Sequence, residues 1–197
     1  MENINKYFKK LTDTKVKVPC RISFANIWEP RSINGSEAKY SVSCLVPKEN
    51  QETIKGIQEA IKNAIEDGKI NRWNGKVPQN LKTPIHDGNV DRPDDESYAG
   101  HLYFSANSKD APQIVDRKCN PVTDPMQVYS GCYCLVTVNF YAYNINGSKG
   151  VAAGLGNVQF VAAGERLAGR ASARDEFEAL DEEFMEMPEG DLPDSLS

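Results

Sequence analysis

The sequence predicts a mainly β protein, a small antiparallel barrel with one packed helix. Segments that alternate apolar and polar residues, the pattern of half-buried strands, recur about six or seven times. One segment has a clear helical period, and the strand–helix–strand alternation of doubly wound folds is missing. The 197 residues, 40% of them hydrophobic, suffice for one hydrophobic core.

The first two predicted strands form a hairpin. Residues 15–28 and 38–46 alternate in polarity, and the loop between them contains proline, asparagine and glycine. On the first strand we assign to the core side Val16, Val18, Cys20, Ile22 and Phe24. The polar sides of the two strands carry Lys15, Lys17, Arg21 and Lys39.

A helix is predicted between residues 50 and 67. Its isoleucines recur at helical spacing, at Ile54, Ile57, Ile61 and Ile65, and Gly68 is placed to end it. We expect this helix to pack on the sheet. Residues 69–97 are rich in Asn, Asp, Gly and Pro, and a long irregular segment in a compact domain is usually functional or disordered.

Strand patterns return in the second half of the chain. They cover residues 98–106, 113–116 and 132–143, and the Asn146-Gly147 turn leads into a last strand that ends near residue 164. The longest strand turns to the core Cys132, Cys134, Val136, Val138, Phe140 and Ala142. The opposite faces carry His101 and Tyr103 on one strand and Tyr133, Asn139, Tyr141 and Tyr143 on the other.

These polar faces predict a groove for single-stranded nucleic acid. Aromatic rings on an exposed sheet face stack with bases, and nearby cations neutralise phosphates. The predicted contacts are Lys15, Lys17, Arg21, Lys39, His101, Tyr103, Tyr133, Asn139, Tyr141 and Tyr143. The alternative for each tyrosine is a place beneath the helix or a loop, with its hydroxyl hydrogen-bonded.

Charge divides the chain into a basic body and an acidic tail. Residues 175–197 hold ten acidic side chains and no Lys or Arg, which leaves residues 1–174 with 23 bases and 18 acids. We therefore predict a nucleic-acid-binding domain over 1–174 and a disordered tail over 175–197, which competes with nucleic acid or recruits partners. The tail residues singled out are Asp181, Glu182, Glu183, Phe184, Asp191 and Asp194. Simple solubilisation is the alternative.

Other chemistries have weaker support in the sequence. The five cysteines include no CxxC pair, which favours small buried thiols over a zinc site or a disulfide framework. Phosphate-loop and nucleophile-elbow motifs are missing, so we expect no enzyme and no cofactor. A metal-dependent nuclease remains an alternative, built on His86, Asp87, Asp91, Asp94, Asp95 and Glu96. The chain has no membrane-spanning or secretory pattern, and we expect a cytoplasmic protein.

A series of short motifs resembles a family of bacteriophage single-stranded-DNA-binding proteins. In order, these are TPIHDG (83–88), RP (92–93), YAGH (98–101), YSGCY (129–133), FYAY (140–143), KGVAAGL (149–155) and NVQF (157–160). The resemblance covers roughly residues 10–175. It implies an OB-fold-like five-stranded barrel that coats single-stranded DNA, without strong sequence preference and without catalysis, during phage replication or recombination in the host cytoplasm.

Two questions stay open at this level. DNA and RNA both offer phosphates and stackable bases, so the residues do not distinguish them, nor do they give the oligomeric state. The acidic tail resembles those of replicative single-strand binders that recruit replication proteins. A protein that acts through this tail alone, as a recruitment or assembly factor, is therefore a further alternative.

Overall fold

The computed structural model describes residues 4–32 and 35–167. The elements in chain order are β1 (Lys9–Lys10), β2 (Lys15–Arg31), β3 (Lys39–Pro47), α1 (Gln51–Asn71), β4 (His86–Asp87), α2 (Gly88–Asp91), β5 (His101–Ser108), β6 (Ile114–Val115), β7 (Tyr133–Ile145) and β8 (Ser148–Ala162). Short 3-10 turns lie at Ile4–Tyr7 and Glu96–Tyr98. The segment expected to be irregular, 69–97, contains β4 and α2. The second of these turns extends to Tyr98, so the strand predicted from residue 98 begins only at His101.

Five long strands close into a barrel. Strand β2 pairs with β3 and β7, β3 continues to β5, and β7 continues to β8. A parallel contact between β5 and β8 closes the ring, with Ala106 opposite Ala153. The predicted OB-fold-like five-stranded barrel is confirmed, but it is not antiparallel throughout. Five strands are an odd number, so a closed ring of them must contain at least one parallel neighbour pair.

The barrel core contains the residues that alternation assigned to it, with one exception. On β2, Val16, Val18, Cys20 and Ile22 are at most 1% exposed. Phe24 was also expected inside, yet 46% of its surface is exposed. The reason is an irregular register between Ser23 and Asn26, which interrupts the alternation of the strand.

Four of the five cysteines lie in this core as free thiols, namely Cys20, Cys44, Cys132 and Cys134. Cys20 lies directly opposite Cys134 on the neighbouring strand. Burial raises the pKa of both thiols well above the ordinary value, which keeps them protonated and unreactive. The prediction of small buried thiols is thus confirmed for these positions, while Cys119 is exposed.

Helix α1 packs against the barrel through its isoleucines. The side chain of Asn50 caps the first turn by accepting a hydrogen bond from the Thr53 amide at 3.3 Å. Ile54, Ile57 and Ile61 are buried against the barrel core. In the part of the chain that the structure describes, no helix is both long and apolar enough to cross a membrane.

Gly68 does not end the helix, as the sequence predicted, because α1 continues to Asn71. Gly68 instead allows the helix and β7 to lie in close contact. A Cβ built on Gly68 would lie 2.3 Å from the Cβ of Ala142 on β7 and 3.0 Å from the ring of Trp73. The missing side chain therefore lets the helix approach the barrel.

Gly68→Ala should lower the free energy of unfolding by about 1–3 kcal/mol, because overlap with Ala142 forces the helix away from β7. Chemical denaturation measures the change. Lys62→Ala, at an exposed position on the same helix, is the control and should be nearly neutral. Equal stability of the two variants would contradict the close contact.

Candidate nucleic-acid interface

Strands β1, β2 and β7 align lysines with small polar side chains on the outer surface of the barrel. Lys9 lies opposite Lys17, and Lys17 lies opposite Thr137 on its other side. Lys15 lies opposite Asn139. We call these five residues the lysine face. The three lysines have no carboxylate partner among the described residues.

The neighbouring Lys10 shows the contrast. Its ammonium group lies 3.0 Å from a Glu59 oxygen and 3.3 Å from an Asp13 oxygen. Both hydrogen bonds raise the pKa of Lys10, and the one to Glu59 has the larger effect. Lys10 is thereby neutralised, so the uncompensated charge of this region lies on the lysine face.

The two tyrosines at the end of β7 differ in accessibility. Tyr141 is 48% exposed, and its ring lies beside Gly154. It also lines a cleft of about 480 Å³ shared with Glu66 and Asp67 of α1, whose carboxylates would repel phosphate. Tyr143 is half-buried, and its hydroxyl lies close to Gly150. Only Tyr141 is therefore open to a base.

Arg21 lies on the predicted face, but its guanidinium is engaged. It lies opposite Tyr133, 5.9 Å from the ring centroid. Its Nε donates to the carbonyl of Gly131 at 3.2 Å, and its Nη2 donates to the carbonyl of Glu165 at 3.0 Å. Arg21 thus holds two backbone segments together, and its charge has no carboxylate partner among the described residues. Its role as a phosphate contact stays a prediction.

Residues 163–167, which we call the C-terminal strap, cross the outer surface at this point. The Leu167 amide donates to the carbonyl of Ser130 at 3.0 Å, and the Tyr129 hydroxyl donates to the carbonyl of Gly164 at 3.0 Å. The Arg166 guanidinium lies 3.8 Å from the centre of the Tyr129 ring. The strap is therefore fixed to the 129–131 turn by several independent contacts.

Tyr103 and His101 are also less available than the sequence suggested. Tyr103 is 9% exposed, because His86 stacks on its ring at 5.2 Å and the edge of Tyr98 meets it at 4.8 Å. His101 is half-buried, and its Nδ1 donates to the carbonyl of Ala99 at 2.8 Å. Tyr103 thus offers no open surface for a base, which corrects that assignment.

The acidic loop proposed as an alternative nuclease site is held in internal contacts. Asp87 pairs with Lys48 at 2.7 Å, and this hydrogen bond lowers the pKa of Asp87. His86 pairs with Asp91 at 2.8 Å. Within residues 4–32 and 35–167, no group of three or more His, Cys, Asp or Glu side chains is arranged to hold a metal.

A second outer surface, which the sequence did not predict, lies on β3 and β5 with the adjoining part of β2. Two rows cross it, Ser23–Ser43–Ser105 and Asn26–Ser41–Asn107. We call these six residues the serine face. The Ser43 and Ser105 hydroxyls are 3.0 Å apart, and the Asn26 amide donates to the Ser41 hydroxyl at 3.0 Å. The only available signal was the alternation of serines along these strands.

The serine face lies where barrels of this kind bind oligonucleotides. In OB-folds the ligand follows the second and third barrel strands and the loops after the first and fourth. Here the second and third barrel strands are β3 and β5. The predicted contact Lys39 begins β3, beside the loop that follows the first barrel strand. Lys109, at the end of β5, is neutralised by Glu37 at 2.8 Å.

Comparisons with known proteins show the family to which the sequence is similar. Residues 12–187 match the family model described as the single-stranded-DNA-binding protein of Enterobacter phage Enc34. The chain is 36% identical over 172 residues to putative protein p50 of Acyrthosiphon pisum secondary endosymbiont phage 1, covering 81% of this chain and 90% of that protein.

Solved structures of the Enc34 protein share the fold. Its complex with single-stranded DNA matches with a TM-score of 0.69 and 24% identity, covering 81% of this chain and 96% of that one. Its C-terminal truncation matches with a TM-score of 0.66 and 25% identity, covering 80% of this chain and 94% of the truncated one.

Proposed function

The chain belongs to the family of single-stranded-DNA-binding proteins represented by that of Enterobacter phage Enc34, and on this basis we propose that it coats single-stranded DNA during phage DNA replication or recombination. We propose the host cytoplasm as its place of action. The family consists of binding proteins rather than enzymes, as the sequence predicted. The nuclease alternative has no further support.

The observation that carries the proposal is the unpaired charge of the lysine face. Lys9, Lys15 and Lys17 stand on one outer surface without carboxylate partners in the described chain. A polyanion that neutralises such lysines releases its condensed counterions, which drives binding without regard to sequence. The Thr137 hydroxyl is engaged with the Asn157 backbone, and the Asn139 side-chain oxygen accepts from Thr14. We propose the exposed Tyr141, farther along β7, as a stacking residue.

The double substitution Lys15→Ala with Lys17→Ala should weaken binding and reduce its salt dependence. Each lost phosphate contact on a single strand lowers the slope of log K against log salt by about 0.7, so the pair should lower it by about 1.4. Fluorescence anisotropy with a labelled oligo(dT) of about 30 nucleotides, titrated at several salt concentrations, measures both quantities.

Lys62→Ala on α1 is the matched control, because it removes one exposed lysine outside the lysine face. Its slope should remain that of the wild type. A double variant that keeps the wild-type slope while folded would refute the role of the lysine face.

We further propose that the acidic tail competes with DNA for the barrel and recruits replication or recombination proteins. The residues predicted for this role, including Asp181, Glu182 and Phe184, lie outside the described residues. Support comes from the last described residue, Leu167, which packs on Leu45, Tyr98 and Tyr103 of the outer surface. The tail therefore follows in sequence from a residue on this surface. The domain boundary at residue 174 remains part of this proposal.

A further inference from the structure

A bulge in β2 turns an aromatic side chain outward. Ser23 lies opposite Ser43 and Asn26 opposite Ser41, so Phe24 and Ala25 together oppose the single residue Val42. Phe24 has a φ of +44°, in the left-handed region that aromatic residues rarely adopt. The residue is 46% exposed. Bulges of this kind redirect side chains beside functional sites.

An arginine backs this ring. The guanidinium carbon of Arg92 lies 4.9 Å from the centre of the Phe24 ring and 4.8 Å from that of Tyr98. It also lies 5.8 Å from the ring of Tyr103. Arg92 forms no ion pair with a carboxylate in the described ranges. Its charge is therefore held among aromatic rings and stays available to an anion.

The rings beneath Arg92 are packed against one another. Tyr98 is completely buried, and its ring meets Tyr103 edge-on at 4.8 Å. The His86 ring stacks on the Tyr103 ring, with the two ring centroids 5.2 Å apart. The Tyr98 hydroxyl has no hydrogen-bond partner among the described residues. Of the three rings that Arg92 contacts, Tyr98 and Tyr103 are buried and Phe24 is exposed.

This cluster adjoins the serine face. Phe24 directly follows Ser23, and the Asn26 side chain donates to the Phe24 carbonyl at 3.3 Å. The hydroxyls of Ser43 and Ser105 lie along the same outer surface. Ser105 and Asn107 are the exposed members of the serine face, whereas Ser23 and Ser43 are buried. A nucleic-acid strand can therefore reach the exposed part of this face, and Phe24 lies on the same outer surface.

We propose that Phe24 and Arg92 form a nucleobase-stacking subsite. A base stacks on the open side of the Phe24 ring, while Arg92 supports the opposite side and contributes positive charge to the adjoining phosphate. The inference rests on the proposed function and identifies base contacts on the serine face, separate from the lysine face. Since every base has a π-face, the subsite accepts any sequence.

The test separates base contacts from phosphate contacts by using two ligands, oligo(dT) and an abasic oligonucleotide of the same length. Phe24→Ala should weaken binding of oligo(dT) about tenfold, within a range of about 5- to 150-fold, and leave the abasic ligand unaffected. Lys15→Ala with Lys17→Ala should weaken both ligands alike. Phe24→Tyr should retain binding, whereas Phe24→Leu, which keeps bulk but not the aromatic face, should lose it.

Crosslinking provides a measurement on the unaltered protein. An oligonucleotide carrying 5-iododeoxyuridine, irradiated in the complex, should crosslink to the peptide that contains Phe24. Mass spectrometry identifies the peptide. This result remains informative even if Phe24→Ala fails to fold.

The subsite would be overturned by a folded Phe24→Ala protein that binds oligo(dT) like the wild type, or by crosslinks that never map to the peptide containing Phe24. Equal loss for both ligands would also refute stacking, since the abasic strand has no bases. If the lysine variant weakens binding while Phe24→Ala does not, the proposed function stands and the subsite fails. If the wild-type protein binds neither ligand, the proposed function itself fails.

Discussion

Neutralising the acidic tail should raise affinity for single-stranded DNA about tenfold or more at low salt. The variant replaces five carboxylates by amides, at Asp181, Glu182, Glu183, Asp191 and Asp194. The basic body, with 23 bases against 18 acids, would then face five tail carboxylates instead of ten. Because the competition is electrostatic, the gain should disappear as the salt concentration rises.

Anisotropy titrations of the full-length wild type and the neutralised variant at two salt concentrations measure this effect. Keeping the tail at full length separates charge from bulk. As a matched control, Met185→Ala leaves every charge in place and should not alter the affinity. If neutralisation leaves low-salt affinity unchanged, the tail does not compete for the DNA surface, and its role reduces to recruitment or solubility.

Gly131→Ala should destabilise the protein by about 3 kcal/mol or more. Gly131 has a φ of +118°, and a Cβ there would lie 1.9 Å from the carbonyl oxygen of Glu165. The strap must move to accommodate it. Movement breaks the hydrogen bonds from Arg21 to Glu165 and from Leu167 to Ser130. Chemical denaturation gives the free energy of unfolding.

Gly147→Ala is the control for backbone strain alone. Gly147 also has a positive φ, +80°, but an added Cβ there would meet no atom within 4 Å. The difference in stability between the two variants therefore measures the contact with the strap. Equal losses would mean that the strap contributes nothing measurable to the stability of the barrel.

Much of the fold could be predicted because alternation reports directly on burial. It placed Val16 and Cys20 in the core and Lys15 and Lys17 outside, and the isoleucine spacing identified α1. The parallel pairing of β5 with β8 could not be predicted from the sequence. Side chains alternate between the two faces of a strand in the same way whether the neighbouring strand is parallel or antiparallel. The prediction that Gly68 ends the helix was wrong for a different reason. The role of Gly68 depends on its contact with Ala142 of β7, which is distant in sequence.

The candidate site was predicted less completely, because a strand pattern gives the face of a residue and not what covers that face. Tyr103 lies on the expected side of β5, but two other rings pack on it. His86 comes from the segment expected to be irregular, and Tyr98, expected to begin the strand, lies in a 3-10 turn instead. The guanidinium of Arg21 donates a hydrogen bond to the strap, a contact that the strand pattern does not reveal. Phe24 was assigned to the core because a single bulge reverses the alternation, and no local sequence signal marked that bulge.

The closing contact of the barrel also bears on how the protein is made. Strand β8 is the last element described, yet it must pair with both β7 and β5 before the ring is complete. On a ribosome that adds about 5–20 residues per second, the edges of β5 and β7 wait unpaired until residues 148–162 have emerged. Chains interrupted before that point would present open strand edges to one another, which favours aggregation.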